Sequence, residues 1–116
     1  MTADDRLDLA RRMYEAFASG DRDYVEAALT QDFRFSSPLD VDLDRAGYFE
    51  RCWPGSGQGQ RFEFIRIVED GDVVIVTYEM TQHDESRGRN TEILTFDGNR
   101  IRRAEVYFGW SLTSRT

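Results

Sequence analysis

The chain has no lysine, one cysteine, one histidine and only two prolines in 116 residues. Because Cys52 has no second cysteine to pair with, an internal disulfide is excluded, and a reducing cytoplasm is the simplest location. One cysteine and one histidine, His83, cannot supply the ligands of a usual zinc site, so the sequence predicts no metal. Every basic residue is arginine, which we interpret as a composition bias of the genome rather than a functional signal.

Long apolar runs and an excess of positive charge are also missing. No apolar segment is long enough to cross a bilayer, and residues 1–12 carry charges without the apolar stretch of a secretion signal. The net charge is −7 and the isoelectric point is about 4.7, whereas affinity for nucleic acid comes largely from basic side chains. We therefore expect neither a membrane nor a nucleic acid as a partner.

What the chain does contain suits a packed globular domain: 40% hydrophobic residues and 13% aromatic residues. At this length there is room for one core, so we predict a single domain over residues 1–116. The one glycine-rich segment, Pro54–Gly59, is expected to be a flexible loop. It lacks the preceding strand and the following helix of a phosphate-binding loop, and no cofactor is expected.

Three helices are predicted in the first half of the chain. Gly20 is placed to end the first helix in the left-handed conformation, Asp21 can cap the second, and Asp42 or Asp44 can cap the third. Apolar side chains recur at helical spacing in all three segments. The predicted inner faces consist of Leu7, Ala10, Met13, Tyr14 and Phe17, then of Tyr24, Val25, Ala28 and Leu29, and then of Ala46, Phe49, Cys52 and Trp53.

Strand patterns dominate the second half of the chain. A short alternating strand at Phe33–Ser36 precedes Pro38, and four longer strands are predicted at residues 61–69, 73–82, 89–96 and 100–110, with tight turns at Gly71 and Gly98. A curled sheet with one apolar face needs a cover, and only the helices can supply it. We therefore predict an α+β fold in which three N-terminal helices pack on a strongly curved antiparallel sheet and enclose a pocket.

Three segments together resemble the nuclear transport factor 2-like superfamily, in particular its SnoaL-like and ketosteroid-isomerase-like branches. They are Met13–Asp21, where one helix closes into the next, Phe33–Pro38, where a strand ends at a proline, and Asp97–Gly109, where a turn leads into the last strand. The resemblance covers nearly the whole chain and implies a cone-shaped, cystatin-like roll with a deep apolar pocket, commonly a homodimer through the sheet. Because the superfamily includes isomerases, cyclases, dehydratases, hydrolases and non-catalytic domains, the fold alone does not choose a chemistry.

Tyr14 and Glu92 are the first candidates for that chemistry. Tyr14 lies on the predicted inner face of the first helix, and in the ketosteroid isomerases a tyrosine at the matching place faces the substrate carbonyl. Alternation puts Glu92 on a face with apolar side chains, where desolvation would raise its pKa; by the resemblance it matches an aspartic acid that those isomerases keep protonated. The alternatives are a core tyrosine bonded to the backbone and a solvated glutamate paired with Arg89 or Arg103.

Ser37 departs from the ketosteroid isomerase pattern. The isomerases carry their proton-shuttling carboxylate just before the proline that ends the first strand, and here Ser37 holds that place. A serine hydroxyl cannot abstract a proton next to a carbonyl without an adjacent base. Asp40 is the nearest carboxylate and could replace the base only by reaching in from the loop; otherwise it belongs to the surface charge.

Three functions remain open on the sequence alone. The first is a pocket protein that binds a small apolar molecule, ring-shaped or polyketide-like, with or without acid–base turnover. The second is an isomerase, cyclase or lyase that uses Glu92 or Asp40 together with Tyr14, and the third is a non-catalytic homodimeric assembly module. The predicted ligand-binding residues are Phe17, Phe35, Ser37, Phe49, Trp53, Leu94, Phe96, Val106 and Phe108.

Overall fold

The structure is a computed structural model that describes residues 3–112, with side chains from residue 5 onward. Within this range the helices are α1 (Ala3–Ser19), α2 (Arg22–Ala28) and α3 (Arg45–Arg51), and a 3-10 turn follows at Trp53–Gly55. None of these helices is long and apolar enough to cross a membrane. The strands are β1 (Leu29–Ser36), β2 (Leu43–Asp44), β3 (Arg61–Asp70), β4 (Val73–Thr81), β5 (Arg87–Asp97) and β6 (Arg100–Ser111).

The strands form one sheet in the order β2-β1-β6-β5-β4-β3. The predicted α+β class, with three helices on a curled sheet, is confirmed, and the sheet stays open because β2 and β3 are its two separate edges. Two details differ from the prediction: β2 is a strand that the sequence did not predict, and β1 runs parallel to β6, while the other pairs are antiparallel. A parallel pair needs a long connection, and the chain from α3 to β5 provides it.

The helix boundaries follow from the residues that cap them. The Asp21 carboxylate accepts a hydrogen bond from the Tyr24 backbone N–H at 3.2 Å, and Asp44 accepts one from the Gly47 N–H at 2.8 Å. Gly20 ends α1 with a φ of 80°, a left-handed conformation that glycine adopts without strain. The sequence identified Gly20 and Asp21 correctly, and of its two alternatives for the third helix the cap is Asp44.

The boundary between the second helix and the first strand was predicted wrongly. The sequence pattern puts Leu29 on the inner face of the second helix, but α2 ends at Ala28 and Leu29 begins β1. Leu29 is only 2% exposed, and an apolar side chain is equally suited to the buried face of a helix or of a strand. The four long strands end within two residues of their predicted bounds, with Gly71 and Gly98 in the turns at positive φ.

The pairing of β5 with β6 decides which carboxyl groups face the helices. Glu92 lies opposite Val106, and Ile93 lies opposite Glu105, so Glu92 and Glu105 are on opposite faces of the sheet. The pairing is irregular between Thr95 and Phe96, farther along the strand, and therefore does not reverse this arrangement. Buried Val76 and Leu94 belong to the face under the helices, which we call the inner face; the opposite one is the outer face.

Candidate functional site

A cavity of about 400 Å³ lies between the helices and the inner face of the sheet. A volume of this order accommodates a small organic molecule. Most of the wall is apolar or aromatic, and its charged side chains are Asp40, Arg51 and Glu92. The full wall consists of Met13, Tyr14, Phe17, Leu29, Phe33, Phe35, Ser37, Leu39, Asp40, Tyr48, Arg51, Cys52, Phe62, Tyr78, Met80, Asn90, Glu92, Leu94, Ile101, Ala104, Val106 and Phe108.

Glu92 forms the centre of a polar cluster in this wall. The Tyr14 hydroxyl of α1 donates to Glu92 Oε2 at 3.0 Å, and the Tyr78 hydroxyl of β4 donates to Oε1 at 2.9 Å. The Asn90 side-chain amide in turn donates to the Tyr78 hydroxyl at 3.4 Å. Each carboxyl oxygen therefore has its own phenol donor, and three different elements hold the carboxyl in place.

Burial controls the protonation of this cluster. Loss of water raises the pKa of Glu92 above its ordinary value, although hydrogen bonds from Tyr78 and Tyr14 oppose that change. Burial is also the main cause of the raised pKa values of Tyr14 and Tyr78, and the nearby Glu92 charge raises both further. The two phenols consequently stay protonated near neutral pH and remain hydrogen-bond donors.

Tyr48 of α3 adds a third phenol to the wall. Its ring packs at 5.2 Å from Phe35 and 5.4 Å from Phe33, yet within the part of the chain that the structure describes its hydroxyl has no hydrogen-bond partner. Burial raises the pKa of Tyr48, with Glu92 as the second cause. A phenol oxygen without a protein partner in the wall of a cavity is available to a bound molecule.

The sequence analysis missed both Tyr48 and Tyr78. Tyr78 follows Val74 and Val76 at the alternation of β4, which places it on the inner face, so a period-two count would have found it. Tyr48 precedes Cys52 by four residues, one helical turn, and the same periodicity that selected Cys52 points to it. Both tyrosines lie at positions where core residues are expected, so the sequence pattern does not single out their hydroxyl groups.

Ser37 and Asp40 lie in the cavity wall but are engaged with their surroundings. The Ser37 hydroxyl accepts hydrogen bonds from the backbone N–H groups of Leu39 at 3.1 Å and Asp40 at 3.3 Å. Arg51 donates to Asp40 Oδ1 at 2.7 Å. Nearby, burial and then the charge of Asp40 raise the pKa of the Cys52 thiol to about 11. The loop after β1 thus carries Asp40 as a carboxylate paired with Arg51, three residues beyond Ser37.

The structure divides the predicted ligand-binding residues into two groups. Three lie outside the cavity wall: Phe96 lies under the Arg6 guanidinium, Trp53 packs on Phe17, and Phe49 packs beneath Arg22. Whether any of these residues contacts a ligand stays a prediction. Those that lie in the wall are Phe17, Phe35, Ser37, Leu94, Val106 and Phe108, together with the catalytic candidates Tyr14, Asp40 and Glu92.

The remaining chemistry-bearing residues lie away from the cavity. His83 is exposed in the loop between β4 and β5. Glu79 is on the outer face and forms ion pairs with Arg87 and Arg89. Within residues 3–112 no group of histidine, cysteine and carboxylate side chains has the arrangement of a metal site.

Comparison with solved structures defines the class of fold. A ketosteroid isomerase-like protein from Kribbella flavida superimposes with a TM-score of 0.78 at 18% identity, over 97% of this chain and 84% of that one. An LEH-like epoxide hydrolase from M. tuberculosis gives 0.72 at 20% identity, over 90% and 83%. A polyketide cyclase-like protein from Acidithiobacillus ferrooxidans gives 0.71 at 21% identity, over 91% and 89%. At these identities the comparisons establish a nuclear transport factor 2-like fold.

The sequence itself identifies the family. The profile of the SnoaL-like domain matches residues 10–104, which is most of the chain. The protein therefore belongs to the SnoaL-like family. A search of curated protein sequences finds no significant match.

Proposed function

We propose that this protein binds a small, largely apolar molecule, ring-shaped or polyketide-like, in the cavity between its helices and its sheet. The observation that carries the proposal is the Glu92 carboxyl, held by two phenols in a mostly apolar wall. The polar group of the ligand would form hydrogen bonds with this cluster and with the unpaired Tyr48 hydroxyl. Its apolar part would pack against the aromatic rings. The free thiol of Cys52 supports a cytoplasmic location as part of this proposal.

Withdrawing a carboxyl group from water has a cost in free energy. Taking an ionisable group out of water is unfavourable unless it is paired, and two phenol donors offset only part of that cost for Glu92. Local departures from an all-apolar core are expected mainly at functional sites. The Glu92 cluster and the partnerless Tyr48 hydroxyl are two such departures in one cavity.

The test is a thermal-shift screen with steroids, phenols and polyketide-like compounds, followed by calorimetric titration of any compound that binds. A ligand that binds only the folded chain raises the melting temperature. We expect Glu92→Gln and Tyr48→Phe to weaken binding, and Tyr107→Phe, on the outer face, to leave it unchanged. A uniformly negative screen, or equal affinity in all the variants, would reject the proposal.

Acid–base turnover in the same cavity is a second candidate. Asp40 and Glu92 share the wall with Tyr14, so a carboxylate could move a proton while the Tyr14 phenol donates to a developing oxyanion. Isomerase, cyclase and lyase reactions can all use a carboxylate that transfers a proton and a phenol that stabilises the oxyanion. The assay follows isomerisation of a 5-androstenedione-type ketone by the wild type, Tyr14→Phe and Glu92→Gln. A rate that is indifferent to both substitutions would exclude this candidate.

We also propose that two copies associate through the outer face of the sheet. Val68, Ile75 and Ile93 form an apolar row across β3, β4 and β5, and Tyr107 of β6 is 52% exposed beside it. Light scattering at micromolar concentration should give the mass of a dimer, and a monomer would contradict the proposal. A dimer together with a negative ligand screen would favour the assembly module, in which the cavity is incidental.

A further inference from the structure

One carboxyl in the cavity wall has no positive partner. Asp40 is paired with Arg51, whereas the hydrogen bonds of Glu92 come from Tyr14 and Tyr78. Among the described residues no arginine forms an ion pair with Glu92. Donation from both phenols favours the ionised form of Glu92 and opposes the effect of burial on its pKa. When Glu92 is ionised, the wall presents a negative charge that no arginine among the described residues balances.

Aromatic side chains line the same cavity wall as this carboxyl. The ring centroid of Tyr14 lies 5.3 Å from that of Phe62 and 5.1 Å from that of Tyr78, and Phe62 and Tyr78 are 5.5 Å apart. Tyr48 contributes a further ring and an oxygen that no protein group occupies. Aromatic rings attract cations, most strongly where water is excluded. The net charge of −7 also raises the concentration of cations around the protein.

We propose that the ligand is an organic cation: a protonated or quaternary amine joined to an apolar ring or chain, with its charge beside Glu92 and among the rings of Tyr14, Tyr48 and Tyr78. This inference rests on the proposed binding function and narrows it to a class of ligand. A primary ammonium donates one N–H to the carboxylate and another to the Tyr48 oxygen. A carboxylate or phosphate at the same place is repelled by Glu92.

The test compares two molecules of one shape and different charge. Phenyltrimethylammonium carries a permanent positive charge, and tert-butylbenzene replaces its nitrogen with carbon. Their dissociation constants are measured by ligand-observed NMR on the wild-type chain at pH 8. We expect the cation to bind at least about tenfold more tightly, since a desolvated cation gains both the carboxylate and the rings.

Matched variants assign the preference to the cavity. Glu92→Gln keeps the size of the side chain and removes the charge, so the preference for the cation should be lost. Glu105→Gln removes the same charge from the outer face and should leave the preference intact. Circular dichroism tests whether both variants fold. If Glu92→Gln does not fold, the pH dependence of cation binding by the wild type tests the role of the Glu92 charge instead.

That pH dependence has a definite sign. Tyr14, Tyr48 and Tyr78 face Glu92, and Cys52 lies near it; burial raises the pKa of all four, so they stay neutral between pH 5 and pH 8. Asp40 and Arg51 also line the wall, already paired with each other. The affinity for phenyltrimethylammonium should rise with pH as Glu92 loses its proton, while that for tert-butylbenzene stays constant.

Three outcomes are distinguishable. Cation preference in the wild type that is lost in Glu92→Gln supports the proposal. Equal or tighter binding of tert-butylbenzene overturns the cationic ligand but leaves a pocket that binds neutral molecules. If neither compound binds and the wider screen is also negative, both the cationic ligand and the proposed function are wrong.

Discussion

The two faces of one sheet each carry a tyrosine–glutamate hydrogen bond, and only their surroundings differ. On the inner face the Tyr14 hydroxyl lies 3.0 Å from Glu92, and on the outer face the Tyr107 hydroxyl lies 3.2 Å from Glu105. Tyr14 is 6% exposed and Tyr107 is 52% exposed. Burial is the main cause of the raised pKa of Tyr14, whereas for Tyr107 it is the hydrogen bond to Glu105. The comparison shows that position, rather than residue type, makes the inner pair a candidate site.

The largest expected difference between the faces concerns packing. Ile101 and Tyr107 lie on the same strand, but Ile101 is fully buried. We expect Ile101→Ala to lower the free energy of unfolding by about 2–5 kcal/mol, because it removes buried methyl groups and leaves a void. Tyr107→Ala should produce no measurable change in a dilute sample. Urea denaturation measures both, and equal losses would contradict the assignment of the two faces.

A smaller difference should come from the hydroxyl groups alone. Tyr14→Phe leaves one oxygen of a buried carboxyl without its donor, and we expect a loss of about 1.5–3 kcal/mol in unfolding free energy. Tyr107→Phe breaks a bond of the same type in water, where solvent replaces the donor. A Tyr14→Phe chain as stable as the wild type in urea would show that the inner hydrogen bond contributes nothing.

The pH dependence of stability should also distinguish the faces. The pKa of Glu92 is raised in the folded chain, so its contribution is fully present below the pKa of the unfolded chain and is lost as pH rises through the folded pKa. The wild type should therefore lose stability relative to Glu92→Gln as pH rises from the unfolded-chain pKa of Glu92 through its higher folded pKa. Calorimetric melting temperatures measure this, with Glu105→Gln as the control for removing one charge from the outer face. A difference that is constant with pH would contradict the burial of the charge.

The smallest effect is on thiol reactivity. Because the pKa of Cys52 is raised to about 11, the thiolate is scarce at pH 8. We expect iodoacetamide to modify Cys52 about a hundredfold more slowly in the folded chain than in urea. A Cys52→Ser chain carrying His83→Cys places a thiol in the exposed loop between β4 and β5 and should react faster when folded. Equal rates at the two positions would show that Cys52 is as reactive as a thiol in an exposed loop.

Local signals determined the parts of the fold that the sequence predicted well. Gly20 and Asp21 act through their own backbone and side-chain geometry, so the boundary between α1 and α2 could be predicted. Leu29 was assigned wrongly because burial in the helix or in the strand has the same apolar signature. The parallel pairing of β1 with β6 depends on contacts between residues about seventy positions apart, such as Leu29 and Ile101, and no local pattern reports them.

The parts of the candidate site that follow from the periodicity of a single strand or helix could be predicted. Alternation placed Glu92 on the inner face, and helical spacing placed Tyr14 on the inner side of α1, but their hydrogen bond requires the packing of helix on sheet. Tyr48 and Tyr78 went unnoticed because an aromatic residue at a core position gives no sign of where its hydroxyl points. Phe96, which the sequence predicts to bind the ligand, lies farther along β5 under Arg6, and its contact with a ligand stays a prediction.

The central claim is that the Glu92 carboxyl lies in the wall of the cavity, withdrawn from bulk water. A ¹³C NMR titration of the glutamate carboxyl carbons, with the Glu92 signal assigned by its absence in Glu92→Gln, tests it most directly. The account predicts that the pKa of this carboxyl is above the usual glutamate pKa of about 4.3. A Glu92 signal that titrates at or below that value would contradict the account.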